Sequence, residues 1–153
     1  MIKSAGESKI DVSVVIPAKN ESDNLPPLLD EIAAALRDYT FEVIVVDDGS
    51  TDDSLDVLQR YAAEHKFLRL LHHKHSGGQS CSVRSGVLHA RGKYVATIDG
   101  DGQNNPIYYR EMLAAMKEGG ERVGLVAGQR LGRKAGFFKR YASKAANSCA
   151  GRS

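Results

Sequence analysis

The stretch FEVIVVDDGSTDDSLDVLQRYAAEH, Phe41 to His65, holds a complete strand-to-helix unit. Phe41 to Asp47 is a nearly continuous apolar run, not an alternating one, as expected of a strand covered on both faces. The apolar residues Leu55, Leu58, Tyr61 and Ala62 then recur at helical spacing and predict a buried stripe. Between the two lies an acidic loop in which Ser50, Thr51 and Asp52 are residue types that cap helix N-termini.

The same alternation continues in both directions. Upstream, DVSVVIP (Asp11 to Pro17) reads as a buried strand, followed by a helix in NLPPLLDEIAAALRDY. That helix carries Leu28, Leu29, Ile32, Ala35 and Leu36 on one face, and Pro26 and Pro27 suit only its first turn. Downstream, FLRLLHH and KYVATID read as strands, with a small-residue helix GQSCSVRSGVLHARG between them that Gly92 is expected to end. A helix opened by Pro106, a strand RVGLVAG and a basic helical segment from Phe137 to Ala150 complete the pattern. This order predicts an α/β fold: a mostly parallel central sheet with helices on both faces, a Rossmann-like three-layer sandwich. Residues 1–10 are polar and are expected to form a disordered tail before a single domain spanning 11–153.

Bulk properties narrow the function classes. The chain has 153 residues, 42% hydrophobic and 26% charged, with a net charge of +2, so nothing in its overall charge points to nucleic acid. The charge is uneven, however. From Arg130 onward come Arg133, Lys134, Lys139, Arg140, Lys144 and Arg152 without an acidic residue. Cys81 and Cys149 have no ligand-like spacing and suggest a reducing compartment.

In an open parallel sheet, ligands bind beyond the carboxyl ends of the strands. The polar residues gather at those ends: Asn20 and Glu21, then Asp47 and Asp48, then HHKHSGGQS, then Asp99, Asp101 and Gln103 in DGDGQ. So many carboxylates at one edge call for a compensating cation or for donor groups, and a divalent metal is the simple answer. Asp99, Asp101 and Gln103 offer the hard oxygen ligands that suit Mg²⁺ or Mn²⁺, and Gly100 and Gly102 would let a backbone or a diphosphate come close. Each piece also has a plainer reading. Asp-Gly pairs form turns, the Ser/Thr/Asp cluster caps a helix, and Asn20 and Glu21 could cap the first one. His72, His73 and His75 resemble a metal cluster without a further ligand in register, and SGGQS, Ser76 to Ser80, could cradle a phosphate but lacks a P-loop lysine.

Taken together and in this order, VSVVIPAKNESDNL, FEVIVVDDGSTDDS, GGQSCSVRSGVLHARGKYVATIDGDGQNNP and LVAGQR resemble family 2 glycosyltransferases of the GT-A fold. Gln103 after the paired aspartates, the GQR at Gly128 to Arg130 and KRYASKAAN make the resemblance strongest to dolichyl- and undecaprenyl-phosphate sugar transferases. The resemblance implies a UDP- or GDP-sugar donor and a polyprenyl phosphate acceptor. It implies that Pro17, Lys19 and Glu21 line the nucleoside pocket, and that Asp48 hydrogen-bonds base or ribose. It places Asp99 near the ribose, counts Asp99, Gly100 and Asp101 among the residues that bind the nucleotide sugar, and puts Asp99, Asp101 and Gln103 on the metal, Mg²⁺ or Mn²⁺. Arg130, with Lys139, Arg140 and Ser143, would hold the acceptor phosphate. Asp99, Asp101 and Arg130 are the residues expected to serve catalysis. The family continues beyond the equivalent of SKAAN, so the chain is expected to be the donor-binding part of a longer protein at the cytoplasmic face of a membrane. Transfer to a saccharide hydroxyl, and a nucleotide-binding piece without turnover, are the alternatives. Haloacid dehalogenase-type phosphatases place Asp-x-Asp on the first strand, and receiver modules want an acidic pair there; neither pattern fits.

Overall fold

The computed structural model describes residues 2–3, 9–101, 106 and 108–119. The elements run β1 (Ile2–Lys3), β2 (Val12–Ala18), α1 (Leu25–Ala35), β3 (Phe41–Asp47), α2 (Ser54–Glu64), β4 (Leu68–His72), α3 (Gln79–His89), β5 (Tyr94–Thr97) and α4 (Tyr108–Gly119). The sheet order is β1-β5-β2-β3-β4. β5, β2, β3 and β4 are mutually parallel, while β1 pairs antiparallel with β5 through Ile2↔Val95 and Lys3↔Tyr94. Ile2 and Lys3, expected within a disordered tail, are thus in the sheet, where they pair with the edge that β5 would otherwise leave open. The expected strand RVGLVAG and the basic segment after it lie outside the described residues.

The apolar strands are continuous because both faces are covered. Val12, Val14, Ile16 and Ala18 of β2 join Val43 and Val45 of β3 and Tyr94 and Ala96 of β5 on one face. Against them pack Leu25, Leu28, Leu29, Ile32 and Leu36 from α1 and its end, Leu58 of α2, and Tyr109, Leu113 and Met116 of α4. Pro26 and Pro27 occupy the opening turn of α1 as expected. The opposite face, with Val15, meets α3. There Gly86 is required by contact: a Cβ on it would lie 2.3 Å from Val15 Cγ1.

Gly92 plays a different part from the one expected. α3 ends at His89, with Ala90 already extended, so Gly92 is not the helix stop. It lies where the chain turns into β5, and an added Cβ would sit 2.5 Å from Ser13 N and 2.7 Å from Val12 C. Those are backbone atoms and cannot swing aside. Gly92→Ala is therefore expected to cost about 1–3 kcal/mol, read as a lower urea midpoint with an unchanged m-value.

Under this turn lies a polar network at the amino end of the strands. Glu42 is 4% exposed. Its Oε1 accepts from Ser13 Oγ at 2.6 Å and Arg91 N at 2.7 Å, and its Oε2 from Arg69 Nη1 at 2.8 Å. Ser13 Oγ in turn accepts from Gly92 N at 2.8 Å, and Arg69 also donates to His89 O at 2.9 Å. The network joins β2, β3 and β4 to the end of α3, so every polar atom taken out of water there has a partner.

Candidate functional site

The four loops that leave the carboxyl ends of the parallel strands are tied to one another. Ala18 O accepts from Asp48 N at 2.8 Å, and Asp47 O from His73 N at 2.9 Å, which carries the sheet one residue past its strands. Asn20, in the left-handed region at φ 55, donates from N to Ser50 Oγ at 2.9 Å, and its Oδ1 accepts from Thr51 N at 2.8 Å. Glu21 N donates to Ser54 Oγ at 2.9 Å. The expected capping roles give way to these links. α2 begins at Ser54 with no side-chain cap from Asp53, and α1 begins after Asn24, again without one. Ser50 binds Asp47 instead, and Asp52 accepts from Ser54 N in a local turn.

Asp47 and Asp48 are adjacent on an extended strand and so face opposite ways. Asp47, fully buried, receives the Ser50 hydroxyl and lies 2.7 Å from His72 Nδ1. Asp48 faces the α3 side. Its Oδ1 accepts from Gly77 N at 2.9 Å and lies 2.8 Å from His73 Nδ1; its Oδ2 accepts from Ser76 Oγ at 2.7 Å and Gly78 N at 2.8 Å. Burial pushes this carboxyl up, but the hydrogen bonds from Ser76, Gly77, His73 and Gly78 outweigh it and hold the group well below the ordinary aspartate range. Gly49, at φ 70, lets the chain turn here while an added Cβ would lie only 3.2 Å from Ser76 N.

This arrangement changes the reading of SGGQS. The loop does make an anion cradle at the start of α3, but the anion is the protein's own Asp48. Asp48, expected to face base or ribose, therefore has both oxygens committed within the protein. The histidines follow suit: His72 is directed at Asp47, and His73 spans Asp48 and Ser85, its Nε2 lying 2.9 Å from Ser85 Oγ.

The paired aspartates are different in kind. Asp99 and Asp101 are both exposed, just beyond β5 at the same edge as the other loops. Gln79, the first residue of α3, donates from Nε2 to Asp99 Oδ1 at 2.6 Å. The sequence marks Gln79 only as part of SGGQS and gives no sign of its link to Asp99; its helix-start position on the neighbouring loop brings it there. Gly100 is buried, and a Cβ on it would lie 3.2 Å from Pro17 O and 3.5 Å from Ala18 and Leu25. A residue without a side chain therefore also suits the packing of this turn against the end of β2. Beneath, Tyr109 is buried with its hydroxyl 3.4 Å from Thr97 O; burial and then the charge of Asp99 push that hydroxyl above its usual range.

Lys19 is exposed and Pro17 and Glu21 are partly so, all at the end of β2 beside this edge. Gly102, Gln103, Arg130, Lys139, Arg140 and Ser143 lie outside the described residues. Among the described residues no three of His, Cys, Asp and Glu form a metal cage. Two exposed carboxylates are still a fitting donor set for a hard divalent ion that keeps most of its positions for water and phosphate oxygens. Among the described residues, no helix is long and apolar enough to cross a membrane.

Comparison with known proteins agrees with this layout. A family model described as Glycosyl transferase family 2 matches residues 13–148. Over 146 residues the chain is 37% identical to an undecaprenyl-phosphate 4-deoxy-4-formamido-L-arabinose transferase of Pseudomonas syringae pv. syringae, covering 93% of this chain and 42% of that protein. Over 134 residues it is 36% identical to a dodecaprenyl-phosphate galacturonate synthase of Rhizobium johnstonii, covering 86% of this chain and 39% of that one. Its fold superposes on a mannosyltransferase from Pyrobaculum calidifontis in complex with GDP-Man and Mn²⁺, at TM-score 0.54 and 29% identity, over 65% of this chain and 31% of that one. The chain thus spans about two fifths of the length of the curated relatives it matches.

Proposed function

Because the chain belongs to glycosyl transferase family 2 and has the GT-A fold, we propose that its sheet edge binds a UDP- or GDP-sugar whose sugar passes, with inversion, to a polyprenyl phosphate. The observation that carries this reading is the contrast among the acids at that edge. Asp47 and Asp48 are buried, whereas Asp99 and Asp101 stand exposed where a ligand can reach them. The names of the relatives, both polyprenyl-phosphate enzymes, favour the acceptor. The GDP-Man and Mn²⁺ in the mannosyltransferase favour a nucleotide sugar and a divalent ion.

In this reading Pro17, Lys19 and Glu21 line the nucleoside pocket, and Asp99 and Asp101, with Gln103, hold Mg²⁺ or Mn²⁺ and the donor. The ion would supply charge neutralisation for a diphosphate leaving group. The chain's own residues bind and orient. An acceptor oxygen attacks the anomeric carbon as the bond to the nucleoside diphosphate breaks, and the bonding pair leaves with the diphosphate. A phosphate acceptor is already ionised near neutral pH, so no general base need take a proton from it. Arg130 with Lys139, Arg140 and Ser143 would hold that phosphate by charge-assisted hydrogen bonds. The full-length protein would then work at the cytoplasmic face of a membrane.

Titrating UDP and GDP with and without Mn²⁺ tests the donor site. Mn²⁺ is expected to tighten binding of one nucleotide by about tenfold or more, and Asp101→Ala to remove that gain. Tight binding indifferent to both the ion and the substitution would sink the reading.

A further inference from the structure

We propose that Gln79 is a positioning residue for the donor site, one that holds the Asp99 carboxylate in a fixed orientation for the nucleotide sugar. The proposal rests on the donor-site reading above and extends it to a residue outside the acidic motif. Gln79 Nε2 donates to Asp99 Oδ1 at 2.6 Å, a short bond between an amide and a carboxylate that is otherwise out in solvent. An exposed carboxylate on a loop would ordinarily sample several rotamers. A ligand that needs one of them loses affinity in proportion to the fraction of time it is absent.

What makes Gln79 able to do this is the loop before it. Ser76, Gly77 and Gly78 are fastened to the buried Asp48 carboxylate, so the first turn of α3 starts from a fixed point. Gly78 sits at φ 85, which a residue with a side chain adopts only under strain, and it aims the chain into the helix at the next residue. A path of hydrogen bonds thereby runs from the end of β3, through the loop after β4, to the end of β5. The amide is the apt group for the last link. It donates to the carboxylate without carrying a positive charge that would compete with a cation there.

The test uses the full chain, with UDP and GDP as probes in the presence and absence of Mn²⁺. Gln79→Ala is expected to weaken Mn²⁺-dependent binding about tenfold, with the thermal midpoint unchanged, since Gln79 is exposed. Gln79→Glu keeps the shape but removes the donor and adds a like charge, so it should bind at least as weakly as Gln79→Ala. In an Asp99→Ala background, Gln79→Ala should have no further effect. Wild-type affinity in Gln79→Glu, or an undiminished loss in the Asp99→Ala background, would overturn the positioning role while leaving the donor site standing. Absence of Mn²⁺-dependent binding in the wild type would bring down both.

Discussion

Asp48→Ala is expected to lower stability by about 3–5 kcal/mol, a large share of what a domain of this size possesses. The alanine removes a carboxylate that accepts from Ser76 Oγ, Gly77 N and Gly78 N and faces His73 Nδ1. Those donors are left around an apolar methyl, each losing its partner in a partly dry setting. Denaturation in urea measures the loss. Asp48→Asn should fall between, because an amide keeps one acceptor oxygen but turns its own donors toward others. Acid should reproduce part of the effect without mutation. Asp48 is held below its ordinary value of 3.8, so the unfolded chain takes up the proton first. Its stabilisation is complete above that value and is lost as pH falls towards the folded-state value. The urea midpoint of Asp48→Ala should therefore vary less with pH below about 4 than that of the wild type.

Glu42→Ala is expected to cost about 3 kcal/mol or more. Arg69 would lose the carboxylate that balances its charge, and Ser13 Oγ and Arg91 N would lose an acceptor. Glu42→Gln retains the volume and one acceptor, and should cost about half as much. Burial pushes the Glu42 carboxyl up, but hydrogen bonds from Ser13, Arg69 and Arg91 and the Arg69 charge prevail and leave it lowered from 4.5. The sign is thus the same as for Asp48: stabilisation is full above about that value and is lost as pH falls. Because Glu42 lies at the opposite end of the strands from Asp99 and Asp101, Glu42→Gln should leave nucleotide affinity unchanged in protein that is still folded. Loss of affinity at full folding would contradict the separation of a structural end from a binding end.

The alternation of strands and helices was legible because burial on both faces writes itself as unbroken apolar runs, as in VIVV of β3. The acidic strand ends were legible too, since the parallel topology alone brings them to one edge. What each acid does there was not. Asp48 and Asp99 are both aspartates after an apolar strand, yet one is buried under a glycine loop and the other stands in solvent. That difference is made by residues far away in the chain, Ser76 to Gln79, whose approach depends on how α3 crosses the sheet. Gly92 misled for a related reason. It reads as a helix stop, but α3 ends before it and the backbone of β2 lies against it, a tertiary contact with no local signature. Ser50 and Thr51 have the composition of a helix cap and are claimed instead by Asp47 and Asn20.

The Glu42 network also has a bearing on misfolding. A strand that slips by one residue turns every side chain to the other face of the sheet. For β3 the apolar residues would hardly notice, because Val43, Ile44, Val45 and Val46 are interchangeable in kind, and Asp47 and Asp48 would hand one carboxylate into the other's place or near it. Glu42 alone would not. A slip in either direction carries it away from Ser13 and Arg69 to the face of Val43 and Val45, which packs in the apolar core. The charged residue at the amino end of the strand is what tells its correct alignment from its nearest competitors.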